Sequence, residues 1–406
     1  MNHAAIRAQF PLLTLCQGDY PLCYLDTAAT AQKPECVIAA MDNYYRQQNA
    51  NVHRGSYLLS ASATRAVEAV RDQLKSFINA NIRQELIFTH GTTESLNILA
   101  YGLAPQLTAG DVILVDSAAH HANLVPWQQL ALRTGAIVEP IALDSQQRLD
   151  IEAFKTQLDK KPKLVALSHV SNVLGTVNDV AQLCQLAKHA GALTVVDGAQ
   201  AIAHLSVDVQ TIGCDFYAFS GHKMYGPTGV GVLWGKLTEL EQLTPMLTGG
   251  EMIKTVSFSG TTFGALPHRL EAGTPPIAEI IGLGAALEFL QQHANNDSHA
   301  HEQRMLQLLQ QGLAQLPEIA LYGAHSDNCG AVAFNVCGEH HQDIGALLDQ
   351  QGVAIRCGHH CAMPLMELLQ LSGCCRASIG IYTNEQDIQQ FLAALKQTLE
   401  LLNEDF

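Results

Sequence analysis

Charge is scarce in this chain. Only 15% of its 406 residues are Asp, Glu, Lys or Arg and 48% are hydrophobic, which excludes a disordered polyelectrolyte and argues for a large buried core. Basic residues are scarcer still, 23 against 38 acidic. The resulting formal charge of −15 disfavours partners such as nucleic acid or an anionic membrane. No apolar run is long enough to cross a bilayer, and the opening MNHAAIRAQFPLL lacks the basic-then-apolar pattern of a secretion signal. The expected location is therefore cytoplasmic. A disulfide framework is missing too: eleven cysteines, an odd number, are scattered from Cys16 to Cys375. Internal repeats and low-complexity tracts are absent, and the length suits two domains.

What the chain does have is a concentration of chemistry between Asp215 and Gly231, DFYAFSGHKMYGPTGVG. The run Phe216–Phe219 reads as a buried strand that breaks into Ser220-Gly221-His222-Lys223 and a glycine-proline turn. A lysine just past a buried strand is costly to desolvate, and desolvation frees its lone pair for attack on carbonyls. The plain alternative is a surface lysine at a strand end. Ser220 and His222 supply hydrogen bonds for a phosphate, and the glycines let backbone approach it. Upstream, Leu193-Thr194-Val195-Val196 reads as a second buried strand delivering Asp197 to its C-terminal end, the edge where open α/β sheets bind ligands. An acid and a lysine so placed suit pyridoxal phosphate (PLP), with the lysine as covalent anchor and the acid on the pyridine nitrogen.

SGHKMYGPTG with VDGAQ resembles the class V branch of the fold-type I, aspartate-aminotransferase-like PLP enzymes, from near Phe10 to the C-terminus. The resemblance implies an α/β large domain with a mainly parallel sheet, at 31–293. An arm at 1–30, joining the small domain, precedes it, and a smaller α+β domain at 294–406 follows.

The remaining segments can be placed in order. Tyr24-Leu25-Asp26-Thr27-Ala28-Ala29-Thr30 is a small-residue turn resembling one at the family's substrate entrance. Helices are expected near 34–48 and 58–79. The loop Asn51–Gly55 between them lies, by resemblance, near the active site and the dimer contact. After the strand Leu86–Thr89, Gly91-Thr92-Thr93-Glu94 opens a helix, either as an ordinary start or as an anion site. With Lys223 in view, Thr92 and Thr93 are assigned to the PLP phosphate, beside Ser220 and His222.

Another strand leads to His120-His121. Metal binding by the pair is a minor reading, since no third ligand follows at fitting spacing. By resemblance His120 stacks on the pyridine ring. The family usually has a glutamate before the pair, where this chain has Ala119. Asn172, at the end of the next strand, matches a family position for a carboxylate or the cofactor's phenolic oxygen, and Gln200 also takes the phenolic oxygen. Asp179 is expected to cap a helix running to about Ala190. Thr274 is expected to reach the neighbouring subunit's phosphate, although Pro276 stands where the family usually has Asn.

The polar run His293–His299 reads as a solvated linker. Beyond it, helices are expected near 299–316, 341–351 and 385–402, with short strands between. The small domain holds Arg356-Cys357-Gly358-His359-His360-Cys361-Ala362-Met363-Pro364. With Cys374-Cys375 this could be a zinc scaffold, a set of buried thiols, or a loop presenting a thiolate beside His and Arg, which lower a thiol pKa from about 8.5.

The loop resembles the signature of group II, SufS/CsdA-type, cysteine desulfurases, shared with selenocysteine-lyase-like relatives. That implies conversion of L-cysteine to L-alanine, with Lys223, Cys361 and His120 catalytic and the sulfur held on Cys361 as a persulfide. Arg376 grips the substrate carboxylate, with Asn172 and Arg356 nearby. It also implies a homodimer, a sulfur-acceptor protein of SufE/CsdE or SufU type, and a role in iron–sulfur cluster assembly. A selenocysteine lyase, another class V aminotransferase-like enzyme and a metal-binding scaffold are the alternatives.

Overall fold

The computed structural model describes residues 2–404. Seven strands form its largest sheet: Leu86–Thr89, Val112–Asp116, Ile137–Ile141, Leu164–Ser168, Leu193–Asp197, Phe216–Ser220 and Gly231–Gly235. By first residue, their order across the sheet is 86, 231, 216, 193, 164, 112, 137. Only Gly231–Gly235 runs against the others, pairing antiparallel on both sides. Helices cover both faces, so the central strands are apolar on alternate residues in both directions. Val165, Leu167 and Val196 face one core, and Leu164, Ala166 and Val195 face the other. Gly198, just past Asp197, is required sterically, because a Cβ there would lie 2.1 Å from the Tyr217 ring.

A second sheet is antiparallel, in the order Ile319–Tyr322, Ala331–Val336, Cys374–Ser378, Arg356–Gly358. Its core is backed by the helices Asn296–Ala314, His341–Asp349 and Glu385–Glu404. The start of the chain is stitched to this end of the molecule. The two-residue strand Cys23–Tyr24 pairs in parallel with Val353–Ala354, and Asp26 bridges to Ser378. Among the described residues no helix is long and apolar enough to cross a membrane.

Several expected elements have their expected ends. The helix Leu58–Phe77 starts where expected, and the Asp179 side chain caps Val180–His189 by accepting from the Gln182 amide at 3.0 Å. The polar run 293–299 is corrected. Asn295 and Ser298 form a capping box, so the run is mostly the first turn of Asn296–Ala314 and not a linker. The strand Gly231–Gly235, the edge strand Ile137–Ile141 and the exposed hairpin Ile253–Ser257/Gly260–Phe263 had not been anticipated.

One ion pair fixes the helix Leu58–Phe77 against the sheet. Arg71, 1% exposed, donates to both Glu271 oxygens at 2.7 and 3.0 Å, and Glu271 also accepts from the Phe88 amide at 2.7 Å. Burial alone would raise the Glu271 carboxyl, but Arg71 overrides it and holds the pKa at about 2. A depressed carboxyl contributes stability that is present above its unfolded value and lost as pH falls through the folded one. Wild type is therefore expected to lose about 3 kcal/mol between about pH 4.5 and pH 2 from this group. Urea unfolding across that window checks it: Glu271→Gln should flatten the dependence, and an unchanged slope would contradict the assignment.

Candidate active site

The C-terminal ends of the parallel strands meet the second sheet around a cavity of about 240 Å³. Its floor is built by neighbouring strands. Asp197 ends Leu193–Asp197 and pairs in register with Ala218, while Lys223 follows Phe216–Ser220 in a tight 3-10 turn. Asp197 is buried and takes the Ala199 amide at 2.9 Å. Burial raises the Asp197 carboxyl, opposed by that amide and by Lys223. Burial pulls the Lys223 amine down to about 8, against the attraction of Asp197. A substantial fraction is then neutral near pH 8 and able to act as nucleophile or base.

One wall is an anion cradle. The helix Thr92–Gly102 starts at Gly91, which has no side chain to cap it. Ser220 Oγ takes the Thr92 amide at 2.8 Å and lies 2.7 Å from Thr92 Oγ1. Gly231 lets its strand lie against this turn, since a Cβ there would sit 2.4 Å from Gly91 Cα. Thr93 and His222 line the same cavity, and His222 Nδ1 is 3.3 Å from Thr30 Oγ1. His120 forms another wall. Burial, then Lys223, lowers its pKa to about 4, so the ring is neutral and suited to lie on an aromatic face.

The opposite side comes from the second sheet. Arg376, 3% exposed, donates to Asn172 O at 2.8 Å and to Asp26 Oδ1 at 3.1 Å. Asp26 also takes a fork from Arg356, at 2.9 Å to Nη2 and 3.2 Å to Nε. Asn172 Nδ2 donates to His360 O at 2.8 Å. Cys361, exposed, lines the cavity on the turn that follows Arg356–Gly358.

The structure thus brings together Lys223, Asp197, His120, Thr92, Thr93, Asn172, Ser220, His222, Arg356, Arg376 and Cys361. It leaves two expected residues outside. Gln200 turns its amide onto Ala28 O at 2.8 Å, and Ala28 is the residue that lines the cavity. Thr274 is exposed in a separate recess with His90 and Glu94. Sequence reasoning missed Asp26, which joins the two arginines, and His121, which holds the Cys361 turn. The signals were the entrance turn that contains Asp26 and the adjacency of His121 to His120.

The zinc alternative finds no convergent donor set. Cys357 and Cys375 face each other at 3.6 Å across paired strands, Cys374 is buried, and Cys361 opens to the cavity. Among the described residues the close trio of possible ligands is His53, Glu68 and His268, with no cysteine in it. The donor chemistry fits PLP instead: a hydroxyl and helix-start cradle for phosphate, a buried carboxylate for a ring nitrogen, and a buried amine for the aldehyde. Three buried polar atoms here lack partners, Asn172 Oδ1, Arg376 Nε and His360 Nδ1. Buried polar atoms are rarely left so, and these await a polar ligand.

The aminotransferase class-V family model matches residues 23–391. A probable cysteine desulfurase of Synechocystis sp. is 45% identical over 406 residues, covering 99% of this chain and 97% of that protein. The Escherichia coli cysteine desulfurase CsdA, solved in an S-sulfonic acid form, superposes with a TM-score of 0.92 at 40% identity, covering 99% of each chain. A variant of C-DES, with glycine covalently linked to its PLP cofactor, superposes with a TM-score of 0.83 at 25% identity, covering 96% of this chain and 98% of that one. With a family model spanning most of its length and curated relatives matching it end to end, this chain belongs to the aminotransferase class-V family, among the cysteine desulfurases.

Proposed function

We propose that this protein is a PLP-dependent cysteine desulfurase that converts L-cysteine to L-alanine and holds the removed sulfur as a persulfide on Cys361. The observation that carries this is one cavity holding a buried amine, a buried acid, a carboxylate-binding guanidinium and an exposed thiol.

Thr92, Thr93, Ser220 and His222 would hold the phosphate, Asp197 would keep the proton on the ring nitrogen, and His120 would lie against the ring. Asn172 would serve the phenolic oxygen, and Gln200, whose amide is turned onto Ala28 O, would reach it only by turning back. When bound, PLP supplies an electron sink for the amino acid's α-carbon. Arg376, already aimed by Asp26, offers its unpartnered Nε to the substrate carboxylate, with Arg356 beside it. Lys223 takes and returns the α-proton, a role that its lowered pKa allows near neutrality. Cys361 attacks the substrate sulfur as a thiolate. An S–S bond forms while the Cβ–S bond breaks, its electron pair stays with carbon, Cβ gains a proton, and alanine leaves.

The division into an arm at 1–30, a PLP-binding domain at 31–293 and a small domain at 294–406 belongs to the same reading. So do a cytoplasmic location, and delivery of the sulfur to a SufE/CsdE- or SufU-type carrier for iron–sulfur cluster assembly. The exposure of Cys361 favours such delivery. The hairpin around the fully exposed Phe258 favours a homodimer in which Thr274 reaches the partner's phosphate.

Incubating the PLP-loaded protein with L-cysteine tests the reading. Alanine should appear, and mass spectrometry should place one extra sulfur on the peptide holding Cys361. Alanine without that sulfur, or more product from selenocysteine with none from cysteine, would overturn it.

A further inference from the structure

We propose that His121 is a positioning residue that sets where the Cys361 thiol stands. This rests on the desulfurase reading above, because it concerns how the sulfur-accepting group is aimed.

The turn carrying Cys361 has a demanding backbone. His360 and Cys361 have φ of 52° and 55°, two successive non-glycine residues in the left-handed region. Each costs roughly 1 kcal/mol or more, and such a turn persists only where its surroundings over-determine it. Some of the hold comes from the turn's own imidazoles. His359 Nδ1 takes the Cys361 amide at 3.1 Å, and His360 Nε2 is 2.9 Å from Cys374 O. Asn172 adds its bond to His360 O.

His121 holds the backbone at the cysteine and just beyond it. Its backbone amide donates to Cys361 O at 2.6 Å, and its ring Nε2 accepts from the Met363 amide at 3.0 Å. Met363 opens the helix Met363–Leu368, which has no side-chain cap from its own segment. The His121 ring supplies that acceptor from 242 residues away. It also lies beside His359, with ring centroids 5.8 Å apart at 34°. Accepting a hydrogen bond requires a neutral ring nitrogen, and burial together with His359 pushes the His121 pKa down, which keeps it neutral.

Loops that follow strands of the large sheet therefore hold the backbone on either side of the reacting sulfur, Asn172 at His360 O and His121 at Cys361 O and the Met363 amide. Without the Nε2 acceptor the Met363 amide passes to water and loses its tie to the large sheet, and the turn relaxes toward right-handed backbone, carrying Sγ from its place. A shift of about 1 Å at a reacting centre can slow a reaction about 10²-fold.

Two variants of the PLP-loaded enzyme test this. Glutamine can set its side-chain oxygen near the place of Nε2, whereas leucine has similar bulk and no acceptor. His121→Leu is expected to keep the near-visible absorbance of bound PLP and an unchanged KM for cysteine, while kcat falls about 10- to 100-fold. His121→Gln is expected to recover most of that loss. Wild-type kcat in His121→Leu, or a glutamine variant no better than leucine, would overturn the proposal. So would a loss of cofactor binding that accounts for the fall, because that marks a merely structural role. If wild type itself forms no alanine, the desulfurase reading fails instead. Iodoacetamide alkylation of Cys361, which needs no turnover, then still reports on positioning: leucine should alter its rate and glutamine should not.

Discussion

Cys361→Ala is expected to keep its PLP and its near-visible absorbance yet form alanine from cysteine at least about 10³-fold more slowly than wild type, the scale on which removal of a covalent nucleophile acts. The reason is the separation of tasks within the cavity. The groups assigned to the cofactor come from the ends of the large sheet, whereas the thiol sits on a turn of the second sheet. Alanine and cysteine bear the same backbone penalty at φ 55°, so the substitution removes Sγ without releasing the turn. Amino-acid analysis of the product, beside an absorbance scan, reads both parts. Alanine release at the wild-type rate would remove Cys361 from the mechanism, and loss of colour would place it in the cofactor site.

Lys223→Ala is expected to fail differently. Borohydride reduction followed by digestion should yield no cofactor-bearing peptide around position 223, and turnover should fall by about 10²- to 10⁴-fold or more, the range for loss of a positioned acid–base group. The fold should not suffer. A confined amine whose pKa has dropped to about 8 is paying a solvation penalty, so its removal should leave the thermal midpoint of the cofactor-free protein equal or higher. A reduced cofactor adduct elsewhere in the chain, with activity intact, would show that another lysine is the anchor.

Most of the large sheet was readable because each central strand is a short apolar run ending in a polar residue, and burial on both faces produces that pattern. Asp197 and Lys223 could be paired from sequence because each follows such a run and the two runs are adjacent in the sheet. The strand Gly231–Gly235 escaped because it begins and ends in glycine, and Ile137–Ile141 because an edge strand tolerates Glu139 and Pro140. The run 293–299 misled because capping residues are as polar as a linker. The roles of Asp26 and His121 were illegible for a further reason: neither acts on a ligand alone. Asp26 matters through Arg356 and Arg376, and His121 through Met363, each contact closing a separation of more than two hundred residues.

The stitching of Cys23–Tyr24 to Val353–Ala354, and of Asp26 to the arginines beyond it, has a consequence for biosynthesis. Asp26 and Arg376 are 350 positions apart, so at ~5–20 residues per second a ribosome needs tens of seconds between making one and the other. Until the second sheet is complete, the side of the cavity built by Arg356, Cys361 and Arg376 is unfinished, while the side from Thr92 to Lys223 has already been made. The cavity is in this way completed only when nearly the whole chain has been made.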